Sequence, residues 1–365
     1  MKIAAVKERE TFELRTAITP DIAKLYIKKG FNVFVEKGIG LAANFTDDEY
    51  IASGATVSSI PLEILSDADL ILKVQPTPII DQFNELDMAK SGAIIIGSIS
   101  PYLYSKYINY ASNKKLSLIA MELLPRITRA QGMDILSSQS NLAGYRAVIE
   151  ASYHYDRAFP MMMSAAGTIN PAKTLILGIG VAGLQAIATA KRLGSVVSAY
   201  DVRANTREQA QSLGAKFVYP EINNENAEDK TGYAKELSTD FAKVQEQFLL
   251  SIIDKYDIVI TTAQIPGKAA PILLTKEMIA KMKPGSVIVD MATKTGGNVE
   301  DSSADKLIIK NGVKIIGWTN IAAKIAHDAS KLYAKNLYNF ITHAVIDNKF
   351  NFDDELVKAV LIKTK

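Results

Sequence analysis

Cysteine is absent from this sequence, which removes disulfides, thiolate nucleophiles and Cys-ligated zinc or iron–sulfur centres together. Histidine is nearly as scarce, with only His154, His327 and His343 present. No sign of charge dominates: 42 Lys and Arg stand against 39 Asp and Glu, a formal charge of +3, and so balanced a surface argues against a nucleic-acid scaffold. Long apolar runs are missing too. The opening MKIAAVKERE has an apolar stretch of four residues, far short of the roughly 7 to 15 of a secretory signal core. The longest uncharged stretch, Thr174 to Ala190, is broken by Gly178, Gly180 and Gly183 and is shorter than the roughly 20 residues a spanning helix requires. The expectation is a soluble, intracellular chain without direct membrane insertion, which reaches a membrane only by docking to something embedded there.

What is present is ordinary globular composition, 48% hydrophobic and 22% charged over 365 residues, a length that suggests about two domains. Strands are expected at Lys2 to Val6, Phe31 to Glu36, Ala68 to Val74, Ala93 to Ile99 and Leu116 to Leu123. Thr19-Pro20-Asp21 reads as an N-cap with proline at the first helical position, opening a helix that Gly30 closes. A connecting helix is expected over Ser137 to Ala158, then strands at Thr174 to Leu177, Val196 to Tyr200, Lys216 to Tyr219, Ile258 to Thr262, Ser286 to Met291 and Val313 to Gly317. Between them, the polar, aperiodic stretch Glu221 to Thr231 reads as a mobile surface loop. A last helix, Ala322 to Val345, would carry Ile325, Leu332, Leu337 and Ile341 on its apolar face. This alternation predicts an α/β chain of two Rossmann-like domains with mostly parallel sheets, linked by two long helices around a cleft. The expected division places residues 1–136 with 327–365 in one domain and 137–326 in a nucleotide-binding domain.

The sharpest local signal is Gly178-x-Gly180-x-x-Gly183, placed between an expected strand and an expected helix. In that setting the first glycine permits a tight turn, the second lets backbone approach a pyrophosphate and the third lets helix pack on strand. The helix N-terminus then offers unpaired N–H groups and partial positive charge to the phosphates. Alone, such glycines also fit a packing turn. Asp201 raises the signal: it stands 18 residues beyond Gly183 at the end of VVSAY, where an acid can accept from both adenosine ribose hydroxyls and would repel a 2′-phosphate. NAD(H) is therefore expected over NADP(H), with Arg203 two residues on keeping the question open.

A second signal is PRITRAQGMDILSSQSN, Pro125 to Asn141, which gathers Arg126, Arg129, Gln131, Asp134 and Ser137 ahead of a helix. A basic group, an amide and a carboxylate in one loop can hold a polar ring and a diphosphate. The same spacing equally fits a solvated turn followed by an N-cap.

At these residues the chain resembles the soluble NAD(H)-binding component, domain I, of proton-translocating nicotinamide nucleotide transhydrogenase. RAQGMDILSSQSNLAGYRAVIEA, AFPMMMSAAGTINPAKTLILGIGVAGLQAIATAKRLG, TGYAKEL and IPGKAAPILLTKEMIAKMKPGSVIVDMA carry the resemblance, which covers essentially the whole chain. The first and last motifs are shared in part with alanine dehydrogenases. The resemblance implies that Arg126, Gln131 and Asp134 place the dihydronicotinamide, with Ser137 nearby. It implies Gly178, Gly180, Val181 and Gly183 at the pyrophosphate and Asp201, Val202 and Arg203 at the adenosine. Gly232 and Tyr233 would sit on a loop that closes over the nucleotide, and Gln245 and Gln264 would complete the pocket. Gln264 stands where the family pattern carries a more apolar residue. The implied partners are an NADP(H)-binding domain, which holds NADP(H), and a membrane-spanning subunit; the implied assembly is a homodimer, cytoplasmic and peripheral at the inner membrane. Moving one charge through 100 mV supplies about 2.3 kcal/mol, enough to shift such a reaction substantially.

Two other readings stand beside this one. An alanine dehydrogenase-type enzyme handles protons as a carbonyl becomes an amine and needs a histidine, a lysine and an acid. Lys73 matches that family's lysine, but the histidine's segment reads GAIIIGSISPY and the acid's place in DMATKTGG is taken by Lys294. Lys73 then reads as a strand-edge lysine without proton chemistry. Hydride exchange between two nicotinamide rings moves no proton at either carbon, so a site poor in titratable groups suits it. A regulatory module that binds NAD without chemistry is the third reading.

Overall fold

The computed structural model describes residues 1–77, 84–203, 205–220, 239–265 and 267–362. They form two compact units, Met1–Gln139 with Ala322–Lys365, and Ser140–Ile321.

The first unit is built on β1 (Lys2–Ala5), β2 (Asn32–Glu36), β3 (Thr56–Ser58), β4 (Leu70–Leu72), β5 (Ile94–Gly97) and β6 (Ser117–Ala120). They lie in the order β3-β2-β1-β4-β5-β6, every pair parallel. Successive side chains of a strand point to opposite faces, and here both faces are apolar. Ile3, Leu70, Leu72, Ile94 and Ile96 join one buried cluster, while Ala4, Ile71 and Ile95 join the other. Short runs of consecutive Ile, Leu and Ala are thus what a sheet covered on both sides requires.

The second unit repeats the plan. After the exposed hairpin β7 (Met162–Ser164) and β8 (Gly167–Ile169) come β9 (Lys173–Leu177), β10 (Val196–Tyr200), β11 (Lys216–Phe217), β12 (Ile258–Thr261), β13 (Val287–Asp290), β14 (Leu307–Lys310) and β15 (Val313–Ile316). Their order is β11-β10-β9-β12-β13-β15-β14, parallel except for the pairing of β14 with β15. Leu175, Val259 and Ile288 face one core, and Ile176, Ile258, Ile260, Val287 and Val289 face the other. In both units the strand order reverses beside the first strand, which is where open α/β sheets leave a crevice at their carboxyl ends.

The expected parallel sheets are present, and local details differ. The apolar run Leu116 to Leu123 is a strand only through Ala120, after which Met121–Leu123 tightens into a 3₁₀ turn. The connecting helix is Ile135–His154. Pro20 does open a helix, Pro20–Lys28, but the Thr19 side chain makes no capping hydrogen bond. The carboxyl-terminal helix is Ala326–Ala344, preceded by a 3₁₀ stretch Ile321–Ile325. Leu332 does not lie on its apolar face: it is 43% exposed, because the buried row runs through Tyr333, Leu337, Phe340, Ile341 and Ala344, to which Leu332 is out of phase. Short strands such as β3 and β14 lack a long apolar run and are specified by the neighbour they pair with. The loop expected at Glu221 to Thr231 lies outside the described residues.

Candidate functional site

In the second unit the glycine turn follows β9 directly. Gly178 has φ of +98°, in the left-handed region that glycine adopts without strain. A Cβ there would lie 2.6 Å from Thr262 Oγ1, whose hydroxyl donates to the Gly178 carbonyl at 3.0 Å. A Cβ on Gly183 would come 2.0 Å from the Gly178 oxygen, so the helix could not sit against the turn with any side chain there. Gly180 is different. Among the described residues, its chain neighbours aside, no atom lies within 4 Å of where its Cβ would be, and it stands at the N-cap of the helix Val181–Arg192 with no side-chain cap. The first and third glycines are therefore required by the protein's own packing, whereas at Gly180 the space over the helix N-terminus is left open to something that approaches from outside.

Asp201 closes β10 and is 5% exposed. Its Oδ2 accepts from the Ile179 N–H at 2.6 Å and Arg203 Nη2 at 2.8 Å, and its Oδ1 accepts from Arg203 N–H and Nε, both at 2.9 Å. Arg203 Nη2 also donates to the Ile179 carbonyl at 3.2 Å. The acid and the glycine turn are thus one hydrogen-bonded unit. Val202 packs at the edge of a core cluster. Gln245 is buried and accepts from the Tyr200 hydroxyl at 3.3 Å, while burial holds that phenol well above its usual range. Gln264 is exposed, its amide donating to the Met291 carbonyl at 3.1 Å. Gly232 and Tyr233 lie outside the described residues.

Three supports of this site have no reading in the sequence. Gly144, in the middle of Ile135–His154, is where the long helix meets the glycine-turn helix: a Cβ would stand 2.1 Å from the Ala182 oxygen. A glycine inside a helix costs roughly 1 kcal/mol against alanine, and that cost is the one signal it gives. Asn298, fully buried, donates to the Ala263 and Pro271 carbonyls at 2.9 and 2.7 Å and accepts from the Ala263 N–H at 3.1 Å, fixing the loop after β12. Asp290 holds Asn298 in turn, accepting from the N–H groups of Ala292, Asn298 and Val299 and from the hydroxyls of Thr261 and Ser302. Asp290 stands in the stretch SVIVDMA, where nothing local marks it as an anchor for Asn298.

The remaining expected residues belong to the first unit. Arg126 precedes, and Gln131 lies within, the 3₁₀ stretch Thr128–Met133, and both are exposed. Asp134 follows it and caps the long helix: its Oδ1 accepts from the Ser137 N–H at 2.9 Å and its Oδ2 from the Ser137 hydroxyl at 2.6 Å. The cap is thus supplied by Asp134, and Ser137 donates to it from the first turn of the helix.

Lys73 follows β4 and Glu8 lies just beyond β1, at the reversal point of the first sheet. Lys73 has no exposed surface, and its Nζ is 3.3 Å from Glu8 and 3.2 Å from Glu85. The N–H groups of Val74 and Gln75 donate to Glu8 at 2.8 and 3.2 Å. Beside them Arg15 pairs with Glu13 at 2.7 Å, and Gln75 donates to Glu13 at 2.6 Å. Burial pushes the Glu8 carboxyl up to about 7 against the pull of Lys73. Glu13, also buried, is held down to about 2 by Arg15 and its hydrogen bonds.

Two doubly wound units, the second with a glycine turn braced by a strand-end acid, define a chain of the dinucleotide-fold class. The chain belongs to the alanine dehydrogenase/PNT family: residues 4–143 match the family's N-terminal domain and residues 147–365 its C-terminal domain. It is 63% identical over 362 residues to the first-part polypeptide of NAD(P) transhydrogenase subunit alpha from Rickettsia prowazekii, covering 99% of this chain and 94% of that protein. Identity to the corresponding polypeptide of Rhodospirillum rubrum is 50% over 370 residues, covering 99% and 96%. The crystal structure of transhydrogenase from Sinorhizobium meliloti superposes with a TM-score of 0.84 at 46% identity, covering 98% of this chain and 96% of that one. An L-alanine dehydrogenase superposes with a TM-score of 0.82 at 21% identity over 99% and 94% of the two chains, a likeness of fold. Among the described residues no helix is long and apolar enough to cross a membrane.

Proposed function

We propose that this chain is the NAD(H)-binding subunit of a proton-translocating transhydrogenase and passes hydride from NADH directly to NADP⁺ held on a partner domain. The similarity to the Rickettsia and Rhodospirillum subunits, which runs through nearly the whole chain, supports the subunit role. The observation that favours ring-to-ring transfer over amino-acid oxidation is the state of Lys73. Its ammonium is wholly buried and paired with two of the protein's own carboxylates, so it is not presented to a keto acid. Lys294, where the dehydrogenase reaction needs an acid, points the same way.

In this reading Gly178, Gly180, Val181 and Gly183 receive the pyrophosphate, Asp201, Val202 and Arg203 the adenosine, and Gln245 and Gln264 the flanks. Arg126, Gln131 and Asp134 orient the dihydronicotinamide, and Ser137 holds Asp134. The fit at Asp201 has a condition. A carboxylate offers about four lone-pair positions, and four protein donors already meet this one. Ribose hydroxyls reach it when the Arg203 guanidinium swings aside, exchanging two charge-assisted bonds for two to the sugar. The chemistry is balanced without a proton: the hydride leaves C4 of one ring with its electron pair, arrives at C4 of the other, and yields NAD⁺ and NADPH. The protein's work is to align the rings and exclude water. The proposal includes a homodimer docked, through the NADP(H)-binding domain, to a membrane-spanning subunit whose proton movement drives the reaction.

The test is to mix the purified chain with a recombinant transhydrogenase NADP(H)-binding domain and follow hydride exchange between NADH and an NADP⁺ analogue of shifted absorbance. Exchange that requires both proteins is expected. Steady oxidation of NADH by the chain alone with pyruvate and ammonia would overturn the proposal, and NADH binding without exchange would reduce the chain to a regulatory module.

A further inference from the structure

The carbonyl of Gly132 is gripped by two amides from far along the chain. Asn336 Nδ2 donates to it at 2.9 Å and Asn339 Nδ2 at 2.7 Å, which uses both lone pairs. Asn336 is 8% exposed, and its own Oδ1 accepts from the Ser138 hydroxyl at 2.7 Å. That third bond fixes which end of the amide faces Gly132. The helix that carries both asparagines, Ala326–Ala344, is anchored in the same unit: the Tyr333 hydroxyl donates to the Lys73 carbonyl at 2.9 Å, and Ser330 Oγ accepts from the Thr16 N–H at 3.0 Å.

Gly132 stands between Gln131 and Asp134, in a 3₁₀ stretch of six residues. Such stretches have poor hydrogen-bond geometry and hold themselves weakly. A peptide plane whose carbonyl is held by two donors cannot rotate without breaking both. The loop is therefore pinned at its centre by the carboxyl-terminal helix and at its end by the Asp134–Ser137 cap.

We propose that Asn336 and Asn339 are positioning residues for hydride transfer, holding the Gly132 carbonyl so that Gln131 and Asp134 meet the dihydronicotinamide in a single geometry. This rests on the role proposed above for that loop. The two act through the backbone and touch no substrate. Ring-to-ring transfer needs its reacting atoms within about 3 to 3.5 Å, so a small displacement lowers the rate steeply. Affinity for NADH rests on the adenosine and pyrophosphate contacts as well, and changes little. Loss of the clamp should therefore separate rate from binding.

The experiment uses the full chain with the recombinant NADP(H)-binding domain, NADH and the NADP⁺ analogue, with NADH affinity measured separately by fluorescence. Wild-type exchange is the control: without it the reading of the loop falls, and this inference with it. Given exchange, Asn339→Ala should slow it about threefold. Asn336→Ala combined with Asn339→Ala should slow it at least tenfold, about 1.4 kcal/mol on the barrier, with NADH affinity within twofold of wild type. Asn339→Asp keeps the shape and removes the donor, so it should behave as Asn339→Ala. Gly132→Ala gives a route that leaves the helix intact, since its Cβ would lie 3.1 Å from Asn339 Nδ2 and push that amide away. Its effect should not add to that of Asn339→Ala. Wild-type exchange rates in these variants would overturn the proposal, and so would rate and affinity falling in parallel. If the double variant does not fold, the Asn339 and Gly132 variants decide by the same criteria.

Discussion

The two sheets share the order of their first five strands and differ in what stands where that order reverses. In the second unit, the ends of β9 and β12 carry Gly178 and Thr262, a turn with almost no side chain and open space at Gly180. In the first unit, the ends of β1 and β4 lead into Glu8 and Lys73, and the equivalent region is filled by the buried residues Glu13, Arg15, Lys73, Gln75 and Glu85 and by the Glu8 side chain, itself 3% exposed. One reversal point is kept clear by glycines. The other is occupied by charges that pair with one another. The same architecture can thus leave its reversal point open or fill it with a plug, and the choice rests on a few side chains beyond the strand ends. The plug is costly to disturb, because removing one partner of a buried ion pair strands the other.

That contrast predicts its own largest effect. Lys73→Met leaves Glu8 and Glu85 buried without their cation and should cost about 4 kcal/mol in urea unfolding at pH 8. The loss should shrink at pH 5, where Glu8 is protonated. A loss below about 1 kcal/mol at pH 8 would mean that the cluster is not a plug. On the other side, Gly183→Ala forces its Cβ onto the Gly178 carbonyl and should cost about 3 kcal/mol, with NADH binding falling at least tenfold in a fluorescence titration. Gly180→Ala, whose Cβ meets no atom among the described residues beyond its chain neighbours, should melt close to wild type yet weaken NADH binding. If it binds as wild type does, the open space does not serve the nucleotide.

The plug also has a pH signature. The Glu8 carboxyl titrates at about 7 when folded and at the ordinary 4.5 when unfolded, so the folded state binds the extra proton between those values. Its stabilising contribution is complete below pH 4.5 and is lost as the pH rises through 7, amounting to up to about 3 kcal/mol. Glu13 has the opposite sign: its contribution is present above pH 4.5 and lost as the pH falls towards 2. Unfolding free energy measured from pH 4.5 to 8 should fall in the wild type and run nearly flat in Glu8→Gln. A slope that survives the substitution assigns the proton to another group. The smallest effect lies at the nucleotide end, where Asp201→Ala should relax discrimination against NADPH by about tenfold, roughly 1.4 kcal/mol in relative affinity. An unchanged preference would show that another acid reads the ribose.

The alternation of strands and helices, both parallel sheets and the place of the glycine turn are legible along the chain, because each is a local matter of periodicity or of residues within one turn. Asp201 is legible through its distance from the glycines. Its pairing with Arg203 is not, since nothing in the spacing decides whether a nearby arginine approaches a ligand or the acid itself. Along the sequence Lys73 matches the alanine dehydrogenase lysine and reads otherwise as a strand-edge lysine without proton chemistry. That it is a buried ion-pair partner follows from Glu8 and Glu85, which the fold brings to it from other elements. Leu332 shows the limit within a helix: its spacing suits an apolar face, but which face is buried depends on what packs there.

By itself, then, the sequence determined the class of fold, the absence of thiol chemistry and the position of a turn that only glycines can make, since backbone sterics and side-chain periodicity act between near neighbours. The tertiary structure alone decided which reversal point stays open, which acid answers Lys73, why Gly144 must be bare, and that the Gly132 carbonyl is clasped by Asn336 and Asn339. Those contacts join residues up to 207 positions apart, and no local rule relates such residues until the chain has folded.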